Sequence, residues 1–334
     1  MKRSSNHMLK KIIASVAVCI LVIGSLVSCG NKASSSSSGG GGGKKILYII
    51  TDFDTFRQKL SDAVLAAGKE QGADITMVET GYSVETQVDL VMNAKSQGYD
   101  AIIIRLADAE TALQMNTASN GIPIVYLNSE PSEEYLDSNQ NVFVGSEEKV
   151  AGQYQAEYVI NKLGKKSMNI IIFEGEKGHS GTIGRTNGVR ETMIANGIDA
   201  NIVFMDYANW STEETEKRFD IFMKTGQSVD AVFCNNDNMA LGAINAMKKY
   251  GLDYTTIPVC GVDAIEAGCE SILAGEMAYT VLQDADLQAS RAVEAAIALG
   301  GGGTLDNIEG VSEDSFFLWV PFLPVDKSNE CDFL

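Results

Sequence analysis

Residues 46–69 read ILYIITDFDTFRQKLSDAVLAAGK. Ile46–Ile50 is a short, wholly apolar run with the length of a strand, and Phe56–Lys69 is an amphipathic stretch with the length of a helix. Between them lies the polar turn Thr51-Asp52-Phe53-Asp54-Thr55. A strand without polar alternation is buried on both faces, which is the habit of parallel sheets covered by helices. This stretch is one strand–helix unit of such a sheet.

The unit recurs along the chain. Further strand candidates are Ile75–Glu79, Ala101–Ile104, Ile124–Leu127, Val142–Val144, Ile170–Phe173, Ile202–Met205, Ala231–Cys234, Val259–Val262, Ala278–Leu282 and Phe316–Val320. Amphipathic stretches such as Val84–Lys95, Val150–Leu163, Met239–Tyr250 and Ala285–Leu299 fall between them. Alternation of this kind makes an α/β fold with parallel sheets. The strands are too many for one ordinary sheet in a chain of 334 residues. Two doubly wound lobes are expected, with their ligand outside the carboxyl ends of the strands.

The region before Lys44 reads as targeting and tether. Lys2, Arg3, Lys10 and Lys11 precede the apolar run Ile12–Val27, which ends in Leu26-Val27-Ser28-Cys29-Gly30. Small residues before that cysteine resemble a bacterial lipobox, which implies cleavage of residues 1–28 and a lipid on Cys29. The competing reading is a plain membrane helix, but the run is short for the ~20 residues of a span. Residues 33–43 (ASSSSSGGGGG) form a flexible linker. Removing residues 1–28 takes away four positive charges, so the −18 of the full chain becomes −22. An acidic body argues against nucleic acid as a partner. It is also repelled by anionic headgroups, so the lipid must hold it at the membrane. Cys234, Cys260, Cys269 and Cys331 lack metal-ligand spacing. Cys234 and Cys260 sit in strand-like runs, where buried thiols are expected, with a disulfide left open.

The strand ends hold the candidate chemistry. Asp54 and Phe56 follow the first strand, Arg105 the third, and His179 and Arg185 the strand Ile170–Phe173. Trp210 follows Ile202–Met205, Asn236 follows Ala231–Cys234, Asp263 follows Val259–Val262, and Gln283 follows Ala278–Leu282. A sugar ring needs flat aromatics over its apolar face and fixed, planar hydrogen-bonding groups around its hydroxyl rim. Phe56 and Trp210 suit the face, and Asp54, Asn236, Asp263 and Arg185 suit the rim. Each residue also has a plainer role open to it. Asp54 fits a helix N-cap, Asp237 fits a cap for the next helix, Phe56 a core position, Trp210 a loop anchor, and Arg185 a surface ion pair.

Asp54-Thr55-Phe56, Asn128-Ser129-Glu130-Pro131, Gly175-Glu176-Lys177-Gly178-His179, Ala208-Asn209-Trp210, Asn235–Gly242, Ile257–Ala264 and Thr280–Ala285 together resemble the periplasmic galactose/glucose-binding proteins. Those belong to the wider ribose-type sugar-binding family. The resemblance runs from about Lys45 to Lys327. It implies a type I periplasmic binding fold, two lobes joined by a three-strand hinge. The lobes would be residues 44–128 with 285–318, and 129–284 with 319–334. It also implies a hexose stacked between Phe56 and Trp210, with Asp54, His179, Arg185, Asn236 and Asp263 on its polar groups. Arg105 stands where the family has asparagine, Gly181 where it has aspartate, and Gln283 where it has asparagine. The arginine makes an acidic or modified sugar a competing ligand, although Arg105 equally fits a partner carboxylate nearby. The family's calcium loop matches Lys162–Ser167, which is short and has no acidic ligand, so no metal is expected there.

An enzyme is not expected. His7 and His179 are the two histidines, no nucleophile elbow surrounds Ser180, and Gly175–Gly178 lacks the P-loop pattern. Asp54 and Asp263 facing each other would evoke a glycosidase pair, but a ring gripped all round favours binding. A repressor of this fold would carry a helix-turn-helix where the signal and tether stand. The expectation is a monomeric, lipid-anchored, extracytoplasmic monosaccharide-binding protein that serves the membrane permease of an ABC transporter and needs no cofactor. A chemosensory role is the alternative.

Overall fold

The computed structural model describes residues 43–329. The expected signal, the expected lipidation site Cys29, nearly all of the expected tether, and Cys331 lie outside them.

In chain order the first part comprises β1 (Lys45–Ile50), α1 (Thr55–Gln71), β2 (Asp74–Glu79), α2 (Val84–Ala94), β3 (Ala101–Ile104), α3 (Ala112–Ala118), β4 (Ile124–Leu127) and β5 (Asn141–Gly145). The second comprises α4 (Glu148–Leu163), β6 (Ser167–Glu174), α5 (Ser180–Ala195), β7 (Asp199–Tyr207), α6 (Thr212–Met223), β8 (Ala231–Cys234), α7 (Asp237–Tyr250), β9 (Val259–Cys260), α8 (Glu266–Leu273) and β10 (Thr280–Leu282). The chain then returns through α9 (Ala285–Gly300), β11 (Phe317–Trp319) and β12 (Leu323–Val325).

The first lobe is a parallel sheet in the order β11-β5-β4-β3-β1-β2. In the second lobe β7-β6-β8-β9 are parallel. Parallel bridges Cys260↔Tyr279 and Asp263↔Leu282 attach β10 beside β9, and β12 pairs antiparallel with β10. Apolar clusters cover both faces of each sheet, as the unalternating strands require.

The expected first lobe boundary, between residues 128 and 129, is corrected. β5 pairs with β4 in register Tyr126↔Phe143 and with β11 in register Phe317↔Phe143, so residues 129–145 stay in the first lobe. Val142-Phe143-Val144 needs a strand on each side to bury it, and those neighbours are in the first sheet. The chain crosses between lobes at Gly145–Glu148, at Leu282–Ala285 and at Trp319–Leu323. The short strand β12 was not anticipated; Leu323-Pro324-Val325 carries a proline and is half exposed, which hides it from an apolar-run reading.

Two close approaches set up the site. A Cβ on Gly152 would lie 2.0 Å from the Arg185 carbonyl oxygen, and one on Gly188 2.2 Å from that of Lys149. The glycines thus let α4 and α5 pack backbone to backbone, which brings Glu148 against Arg185. Cys234 and Cys260 are buried free thiols, and burial pushes both upward from the ordinary thiol value. No helix among the described residues is long and apolar enough to cross a membrane. None of their His, Cys, Asp and Glu residues cluster in a group that could hold a metal ion.

Candidate functional site

A cavity with about 280 Å³ of free space, its mouth included, lies between the carboxyl ends of the two sheets. The first lobe lines it with Asp54, Phe56, Arg57, Arg105 and Asn128. The second lobe contributes His179, Arg185, Trp210, Asn236 and Asp263, with Gln283 at the crossing after β10. All nine residues singled out in the sequence are in its wall. Arg57 and Asn128 were not singled out as contacts. Asn128 stood in a segment quoted for the resemblance, whereas Arg57 gave no sign beyond its place one residue after Phe56.

Several residues hold two roles at once. Asp54 is the N-cap of α1, its carboxylate accepting from Arg57 N–H (2.7 Å), and still faces the cavity. Asn236, rather than Asp237, caps α7, accepting from Met239 N–H (3.0 Å). Asp237 is instead buried beneath the site, where it accepts from the Thr280 hydroxyl (2.5 Å) and Ile265 N–H (2.9 Å). Burial pushes its carboxyl up to about 7.

His179 caps α5: its Nδ1 accepts from Gly181 N–H (3.0 Å), which assigns the proton of the neutral ring to Nε2. Burial, then the charges of Arg105, Arg185 and Arg57, hold the ring well below the ordinary imidazole pKa. Trp210 meets the His179 ring edge to face at 5.4 Å. A Cβ on Gly175 would lie 2.1 Å from the Trp210 ring, so the glycine makes the seat for the indole. Trp210 (φ 63°) and Asp263 (φ 109°) have left-handed backbones, conformations that cost of order 1–3 kcal/mol each and gather at functional sites.

Arg185 is the hub of the second-lobe wall. It donates to Glu148 Oε2 (2.6 Å), the Asn235 carbonyl (2.6 Å) and Gln283 Oε1 (3.1 Å), and lies 3.6 Å from Asp263 Oδ1. Its partner carboxylate is therefore buried, not a surface one. Burial pushes the Asp263 carboxyl well above the usual range, against the pull of Arg185. In the first lobe Arg105 donates to Thr51 Oγ1 (2.7 Å) and Asn128 Oδ1 (3.2 Å), and reaches Glu176 Oε2 (3.6 Å). Arg57 pairs with Asp52 (2.8 Å), Asp54 (3.4 Å) and Glu176 (3.4 Å).

Three buried nitrogens of the wall have no protein partner: His179 Nε2, Trp210 Nε1 and Gln283 Nε2. All three are donors, since the Gln283 oxygen is taken by Arg185. Buried donors without acceptors cost roughly 1–3 kcal/mol each. A ligand that offers oxygen lone pairs between two aromatic side chains recovers that cost.

Residues 46–304 match the family of the periplasmic binding protein domain. The D-galactose/methyl-galactoside binding periplasmic protein of Haemophilus influenzae is 30% identical over 264 residues, covering 74% of this chain and 77% of its own. The putative rhizopine-binding protein of Rhizobium meliloti is 29% identical and covers 78% of this chain and 82% of its own. Among solved structures, an ABC transporter solute binding protein from Bacillus halodurans with bound myo-inositol aligns with a TM-score of 0.78 at 29% identity, over 89% of this chain and 99% of that one. The chain belongs to the periplasmic binding protein family, in the type I, ribose- and galactose-like branch that provides the solute-binding component of ABC sugar transporters. That class binds and delivers without catalysing, so the chain is an extracytoplasmic binding protein and not an enzyme.

Proposed function

We propose that this chain captures a neutral monosaccharide, a glucose- or galactose-like hexose, between its lobes and presents it to the permease of an ABC importer. The observation that carries the reading is the set of unpartnered donors on His179, Trp210 and Gln283, in a cavity that Phe56 and Trp210 enter from opposite lobes. A hexose ring has an apolar face for the aromatics and a rim of oxygens for the donors. Asp54, Asn236 and Asp263 supply acceptors or second donors for the same rim. Galactose, named for one relative, and myo-inositol, bound in another, are both six-membered rings carrying hydroxyls. The closed arrangement surrounds the ligand with both lobes, so ligand shifts the population toward closure because only that state offers both sets of contacts.

An acidic sugar is the weaker reading. The guanidinium of Arg105, which raised it, is engaged by Thr51, Asn128 and Glu176. We further propose that Cys29 carries the lipid that holds the mature protein at the outer face of the membrane, and that it works as a monomer. Cys29→Ser should release it from the membrane fraction. The ligand is tested by a thermal-shift screen of residues 30–334 against neutral sugars, cyclitols and sugar acids. A ligand at a hundred times its Kd adds about 2.7 kcal/mol of stability, and no shift with any neutral ring would refute the reading.

A further inference from the structure

Glu176 stands in the loop between β6 and α5, on the second lobe. Its carboxylate reaches three residues of the first. Oε1 lies 3.4 Å from Arg57 Nη1 and accepts from the Tyr82 hydroxyl, and Oε2 lies 3.6 Å from Arg105 Nη2. The two arginines it meets differ in what their own lobe gives them. Arg57 keeps Asp52 and Asp54 beside it. Arg105, 1% exposed, bonds at home to the neutral groups of Thr51 and Asn128, and the carboxylate paired with it is the one from across the cleft. A buried guanidinium removed from water needs a counter-charge close by.

We infer that Glu176 is a specificity-determining latch: it reaches Arg105 when the lobes close, cancels the arginine's charge in the cavity wall, and thereby fits the closed cavity to an uncharged polyhydroxylated ring rather than to a sugar carboxylate. The inference rests on the carbohydrate reading above. Without Glu176 the same closed wall presents an uncompensated guanidinium, which grips a carboxylate well. The latch also stabilises closure itself, because the groups it joins are on separate lobes.

The test is calorimetric titration of the wild-type protein, Glu176→Gln and Glu176→Asp with glucose, galactose, myo-inositol and galacturonate. Glutamine keeps the shape, and Glu176 is partly exposed, so folding is not at stake. In Glu176→Gln, affinity for the neutral ring should fall about tenfold or more. The ratio of galacturonate to neutral-ring affinity should rise by a similar factor, while Glu176→Asp keeps the neutral preference. A Glu176→Gln ratio within twofold of wild type overturns the inference. If the wild type binds none of the four, the carbohydrate reading fails separately. The latch is then decided by small-angle scattering without ligand: a larger radius of gyration in Glu176→Gln sustains it, and an unchanged one overturns it.

Discussion

The two walls of the cavity are built on different plans. The second-lobe wall is braced within its own lobe: Glu148 and the Asn235 carbonyl fix Arg185, a backbone N–H fixes His179, Asn236 is tied to α7, and Trp210 sits on Gly175. The first-lobe wall has Asp54 and Phe56 on α1, but its arginines complete their ion pairs with Glu176 of the opposite lobe. One side is a receptor ready before the ligand arrives, and the other is finished by closure. Preorganised contacts cost little to order on binding, so the second lobe should hold most of the affinity. The first should set selectivity and the open–closed balance.

This contrast can be broken at its strongest point first. Arg185→Ala leaves Glu148 and Asp263 buried without their cation, which should cost about 3–5 kcal/mol of stability and abolish ligand binding. Chemical denaturation and titration check both. Next is Asp237, whose folded pKa of about 7 lies above the ~3.9 of an unfolded aspartate. Between those values the unfolded chain has released the proton that the folded one keeps. Stability should therefore fall as pH rises from about 4 to 7, at up to about 1.4 kcal/mol per pH unit. Asp237→Asn should flatten that window in melts followed against pH; an unchanged slope would free Asp237 of the role. Trp210→Ala should weaken ligand binding about 100-fold with a cooperative melt retained, measured by calorimetry. Smallest is Tyr82→Phe, which removes one half-exposed donor to Glu176. Ligand dissociation should speed up less than about threefold, by stopped flow, with the ring preference unchanged.

Strand ends were legible because unalternating apolar runs such as Ala101–Ile104 and Ala231–Cys234 stop where a polar residue enters, and those stops mark the cavity wall. Nine of the eleven wall residues follow from that rule and from the resemblance. Lobe membership of β5 was not legible, because Val142–Val144 suits either sheet and its partners are set by long-range pairing. The double duty of Asp54 and Asn236 was half legible. Asp54 fits either a cap or a contact in the sequence and Asn236 reads as a contact alone, whereas a helix that begins at a strand end places its cap at the cavity. Asp237 was misread as a cap because polar runs like Asn235-Asn236-Asp237 do not reveal which side chain turns back to the helix. The bracing acids Glu148 and Glu176 carry no local pattern; their roles arise from how α4 and the loop before α5 meet arginines distant in sequence.

The chain has two tryptophans, Trp210 in the cavity and Trp319 stacked on Phe317 at 4.7 Å in the first sheet. Trp319→Phe leaves Trp210 as the sole reporter. Fluorescence titration of that variant with the ring found in the thermal-shift screen is the direct measurement. A saturable change in Trp210 emission at one ligand per chain is the expected result. Calorimetric binding of the same ring with Trp210 emission unaltered would contradict capture between the lobes.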